Sequence, residues 1–155
     1  MRGVGRISLV LSLAGALFAF NGFGVERLVA GGNSKSHADA IAHHIAVLRS
    51  GKPQERAAAA YWLGQQRAAA AEAVDPLVDL LGDVTQINPA LYRTSRALQK
   101  LTLGEEAAAA LVNIGHQSIE PLIRVLKTSP MPEARKNAAW ALGALHDTGA
   151  TSTEI

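Results

Sequence analysis

Two short signatures alternate along the chain, and their recurrence restricts the fold more than any other feature. Pro53, Arg56, Ala59, Ala60, Tyr61, Leu63 and Gly64 are matched without gaps by Pro132, Arg135, Ala138, Ala139, Trp140, Leu142 and Gly143. A second signature, Val74, Pro76, Leu77, Val78 and Leu81, returns as Ile119, Pro121, Leu122, Ile123 and Leu126. A third copy of it is visible in Ile41, His44, Ile45 and Leu48. The apolar steps of three, four and seven residues describe one face of an α-helix. Repeats of this length mark a stacked architecture, because each unit buries its apolar face only against its neighbour.

The implied order is inner-type helix (about 37–50), outer-type (54–65), inner (72–82), outer (105–114), inner (117–128) and outer (133–145). Proline in the first turn costs little, since its missing N–H would be unpaired there anyway. Alanines at helix crossings allow close backbone approach. Composition agrees: 48% of residues are hydrophobic but only 5% aromatic, and alanine-rich sequence favours helices over strands. The fold class expected is all-α, an α-solenoid of antiparallel helix pairs.

The phrases AVDPLVDLL at 73–81, SIEPLIRVL at 118–126 and PEARKNAAWALGALHD at 132–147 resemble the HEAT-repeat family, in particular the short HEAT-like repeats of phycobilisome lyases. The resemblance covers roughly 37–155. It implies the solenoid fold and says almost nothing of function, since such repeats recur in scaffolds, adaptors and a few enzymes. One enzymatic relative, an iron hydroxylase, carries repeated His-Glu dipeptides, and this chain has none.

Residues 1–30 read as a targeting segment. Arg2 and Arg6 precede an apolar run from Ile7 to Phe20, the order of a secretory signal peptide. Extended to Val25, the run approaches the roughly 20 residues that span a bilayer, so an uncleaved membrane anchor and a buried helix remain alternatives. Residues 31–36 (GGNSKS) read as a flexible linker. The repeat domain follows at 37–155. Export, to the periplasm or outside the cell or to a membrane-anchored position facing outward, is the expected localisation.

The repeat spacing is interrupted by an insertion at about 85–104. Asn88-Pro89 reads as the start of an extra helix, with Leu91, Leu98 and Leu101 as its apolar stripe. Arg93, Arg96 and Lys100 would then form a basic face, solvated or meeting an acidic partner. Thr102 to Glu105 reads as a capping box for the next helix. After Asp147 the pattern calls for another inner helix, so the last repeat reads as incomplete.

Candidates for chemistry are sparse. The chain has no cysteine, which excludes disulfides, thiolate metal sites and thiol nucleophiles. His37, Asp39, His43 and His44 cluster in sequence, but His44 occupies a repeat position held elsewhere by leucine and reads as a half-buried helix-face residue. His116 and His146 fall at inter-helix turns. Arg56 and Arg135 recur as a structural ladder bonding carboxylates or carbonyls of the next repeat. Tyr61, Trp62 and Trp140 read as wedges between helices.

With 15 basic and 13 acidic residues the net charge is +2, which is no nucleic-acid footprint. The reading that follows is a non-enzymatic scaffold without cofactor or metal. It would bind a protein partner along its concave inner-helix surface through Asp75, Asp79, Arg124 and Lys127, with Arg93, Arg96 and Lys100 as a second contact. Membrane association would come only through an uncleaved anchor. The alternatives are an enzyme or enzyme subunit of the HEAT-like lyase type, or a truncated solenoid without independent function.

Overall fold

The computed structural model describes residues 26–93 and 100–149, with side chains from Ser34 onward. Among these residues the α-helices are α1 (Glu26–Ser50), α2 (Pro53–Gln65), α3 (Val74–Val78), α4 (Leu103–Ile114), α5 (Ile119–Thr128) and α6 (Pro132–Asp147). Short 3₁₀ turns at Arg67–Ala73 and His116–Ser118 lead into α3 and α5. The alternation read from the repeats is therefore present, helix by helix.

α1 packs on α2, α3 on α4, and α5 on α6. α2, α4 and α6 adjoin in sequence to form an outer layer, and α3 touches both α1 and α5 in the inner one. This two-layer stack is a helical solenoid. Its core is built around signature residues: Leu48, Leu63, Leu77, Leu81 and Leu122 are buried, with Leu111 and Leu145 buried beside them. Alanines 57, 59, 60, 107, 108 and 110 are buried between them. Gly64 shows what the small residues achieve. A side chain there would begin 2.9 Å from the Ala110 Cα, so α2 and α4 cross almost backbone to backbone.

Helix boundaries follow local chemistry. α2 and α6 begin at Pro53 and Pro132, where the missing N–H costs nothing. α4 begins with the expected capping box: Thr102 Oγ1 accepts from the Glu105 N–H at 3.2 Å, and Glu105 accepts from the Thr102 N–H at 2.8 Å. α2 ends where Arg67 turns into the left-handed region at φ 53°, a conformation that normally suits glycine.

Two expectations are corrected. Residues 31–36 are helical within α1 rather than a linker. Once the packed segment from Ile41 to Leu48 nucleates the helix, added residues need no second nucleation, although Gly31 and Gly32 each cost about 1 kcal/mol relative to alanine. The insertion is the second. Its described part holds one 3₁₀ turn, Pro89–Leu91, and two paired two-residue strands, β1 (Gln86–Ile87) and β2 (Leu101–Thr102). The strands are antiparallel, with Gln86 opposite Thr102 and Ile87 opposite Leu101. Leu91 is 70% exposed and Leu101 sits in β2, so these two do not share a helical stripe. Backbone pairing between the ends of the insertion competes with the helix that Asn88-Pro89 begins. Leu98 lies outside the described residues, as does the targeting run up to Val25.

Candidate functional site

The insertion is tied to the outer layer at two points. Gln54 of α2 holds one end: its side chain donates to the Asn88 carbonyl at 2.8 Å and accepts from the Asn88 N–H at 3.0 Å. Asn88 in turn accepts from the Ala90 N–H at 3.1 Å, the cap that the sequence led one to expect. The other end is held by Glu106 of α4, which is only 1% exposed. Arg93 Nη2 donates to both its carboxylate oxygens at 2.6 Å, and the Tyr92 hydroxyl donates to Oε2 at 2.7 Å. The Arg93 guanidinium also lies 5.1 Å from the centre of the Tyr61 ring, a distance at which the ring face attracts a cation.

These groups tune one another. Burial pushes the Tyr92 phenol above its ordinary range, and the hydrogen bond to Glu106 and its charge push it further. Burial alone would lower the Arg93 pKa, but the bond and charge of Glu106 outweigh it and hold it above the ordinary value. The cluster is a neutralised clamp. Of its buried polar atoms only Arg93 Nε has no partner among the described residues.

The position of Glu106 follows a repeat rule. Counted back from Leu63, Leu111 and Leu142, the same register holds Ala58, Glu106 and Asn137. Asn137 is also buried, and its Nδ2 donates to the Leu81 carbonyl at 2.8 Å, beyond the end of α3. Each polar residue therefore secures the non-helical segment beside its own helix. Gly104 permits this, since a side chain there would begin 2.6 Å from the Leu81 carbonyl oxygen. Sequence reasoning missed Glu106 and Asn137. The available signal was a charge and an amide at a register that alanine fills in the first copy.

A cavity of about 430 Å³ opens between the insertion, α4 and α6, lined by Arg93, Leu101, Glu105, Ala109, Lys136, Asn137 and Trp140. Trp140 is 55% exposed on its rim, which corrects its reading as an interior wedge. Its repeat counterpart Tyr61 is covered by Tyr92, with ring centres 5.7 Å apart; among the described residues no aromatic ring covers Trp140. Trp62 is a wedge as expected, stacked on His44 at 4.1 Å.

The predicted contact residues separate into two groups. Asp75, Asp79, Arg124 and Lys127 are all exposed on the adjoining inner helices α3 and α5 or at their ends. None of the four takes part in an ion pair among the described residues. The basic face is not assembled as expected: Arg93 turns inward to Glu106, Lys100 is exposed next to β2, and Arg96 lies outside the described residues. The buried carboxylate outcompetes solvent for Arg93, because an unpaired charge there would be costly.

The remaining residues of note are structural. Arg56 Nε donates to the Leu48 carbonyl at 2.8 Å, and Arg135 Nη1 donates to the Ser129 carbonyl at 2.8 Å. Both bonds correct the expected direction of the ladder, reaching back to the end of the preceding helix rather than on to the next repeat, and only Arg56 also reaches forward, approaching Asp83 at 3.6 Å. His44 is half-buried, and burial followed by the neighbouring His43 lowers its pKa. Among the described residues no group of three or more His, Asp or Glu side chains is placed to hold a metal ion.

Comparison with known proteins agrees with this architecture. Residues 55–83, which run from α2 through α3, match the PBS lyase HEAT-like repeat. Residues 114–145, which take in α5 and most of α6, match the Armadillo/beta-catenin-like repeat. No curated protein and no solved structure matches the chain. Both repeat types build stacked helical solenoids, and with the two-layer fold they support a HEAT-like repeat family for this chain.

Proposed function

We propose that this helical-repeat protein is an exported, non-enzymatic scaffold that binds another protein across its inner helices. The observation that carries the reading is a contrast in how charges are used. On the outer side Arg93, Glu106 and Tyr92 neutralise one another within the fold. On the inner side Asp75, Asp79, Arg124 and Lys127 stand exposed, with no ion pair to another of the described residues, on the helices that bury Leu77 and Leu122. Acidic groups on one helix and basic groups on the next give a partner two signs to match, which favours specificity and register. Export is supported by the basic start and apolar run of residues 2–20.

The test is cross-linking of the full chain to envelope proteins, with a charge-reversed Asp79→Lys/Arg124→Glu variant alongside. One protein captured by the native chain and lost by the variant is the expected result. Equal capture by both, or cross-links confined to outer-layer residues, would overturn the assignment of the surface. Intact mass of the cell-derived protein checks export by revealing whether the first segment is removed.

A further inference from the structure

Within the stack, the outer helix α2 buries Ala57, Ala60 and Gly64, and Gly64 lies directly against Ala110 of α4. The equivalent residues of α6 are Lys136, Ala139 and Gly143, and all three are exposed. A side chain added at Gly143 would meet no atom of the described residues within 4 Å. Trp140, beside them, is the most exposed aromatic residue described. A large indole face left in water on a helix with an open neighbouring surface marks a contact site.

The order of residues on this face identifies what fits it. Lys136, Trp140, Gly143 and Asp147 follow one another by four, three and four residues, the seam spacing of paired helices. A two-fold axis midway between Ala141 and Leu142 would lay α6 antiparallel on itself. Trp140 then faces the partner's Gly143, so the largest side chain meets the position with none. Lys136 faces the partner's Asp147, so opposite charges meet at both ends. Ala139 faces the partner's Ala144, which keeps the helices close. An isologous interface requires this kind of self-complementarity.

We propose that α6 is a homodimerisation helix, pairing with α6 of a second copy through the Lys136–Trp140–Gly143–Asp147 seam. Lys136 now bonds Glu133 on the same helix at 2.5 Å, and Asp147 lies only 3.7 Å from His146. Both contacts are exposed, and surface pairs of this kind are weak, so either group is available to a partner. The proposal is independent of the inner-layer charges.

Sedimentation equilibrium of the full chain, held in a neutrally buoyant non-ionic detergent, tests it. A concentration-dependent monomer–dimer equilibrium is expected. Gly143→Met fills the hole for the indole without touching its own fold, and should weaken the dimer about tenfold or more. Lys136→Glu and Asp147→Lys should each weaken it, and the double variant should restore it. Circular dichroism confirms that each variant keeps its helices. A monomer at every concentration would overturn the proposal. So would self-association that ignores Gly143→Met, or a double variant no better than its parents.

Discussion

Arg93 and Glu106 form the one deeply seated ion pair described, with both carboxylate oxygens 2.6 Å from a single guanidinium nitrogen. The pair fixes a non-helical insertion onto a helix. Replacing Arg93 by Met leaves the Glu106 charge buried without its partner, and a loss of about 3 kcal/mol is expected. The double variant Arg93→Met/Glu106→Leu should lose less than Arg93→Met alone, because an apolar pair strands no charge. Urea unfolding of the three proteins reads the difference. A double variant less stable than Arg93→Met would show that the pair itself, rather than the stranded charge, carries the stability.

Asn137 bonds a carbonyl that has turned out of α3. Asn137→Ala orphans the Leu81 oxygen and leaves a small void, so a loss of roughly 1–3 kcal/mol is expected. Asn137→Asp should be worse, since it sets a second acceptor against that carbonyl. Thermal melts of both variants check the order, and an Asn137→Asp as stable as the native chain would contradict the hydrogen bond.

Gly64 and Gly143 occupy the same repeat position and should respond oppositely to one substitution. Gly64→Ala drives a methyl into the α4 backbone at Ala110, and overpacking of this kind costs about 1–3 kcal/mol. Gly143→Ala enters open space and should gain up to about 1 kcal/mol from helix propensity. Denaturation at dilute concentration compares the two. Equal effects would mean that the two helices are packed alike.

His44 makes stability depend on pH at the first helix pair. Its folded pKa is lowered, by burial first and then by His43, while the unfolded value stays near 6.5. The unfolded chain therefore takes up a proton first as pH falls. Stability contributed by neutral His44 is present above about pH 6.5 and is lost as the pH falls through the lower folded value. His44→Phe should keep the ring stack on Trp62 and flatten this limb of the stability–pH curve. A limb unchanged in the variant would assign it to other groups.

The sequence by itself determined the alternating repeat helices and their order, though not the helical start of α1 or the strands of the insertion. Proline starts, the Thr102 box and the apolar steps act within a turn or two, so residues such as Pro53, Leu77 and Leu142 announce their helices locally. It also showed that Arg56 and Arg135 play one role, because the role was repeated. The tertiary structure alone decided which equivalent positions are covered. Among the described residues Tyr61 is covered by Tyr92 and Trp140 is not, though both stand at the same register, because the insertion lays Tyr92 over the first and only borders the cavity at the second. Leu81 is fully buried while its counterpart Leu126 is 39% exposed. Arg93 turned away from the expected basic face because Glu106 lies thirteen residues on in a different element. Helix formation is governed by neighbours along the chain. Burial, ion pairing and open surface are governed by neighbours in space, and those were set only when the helices stacked.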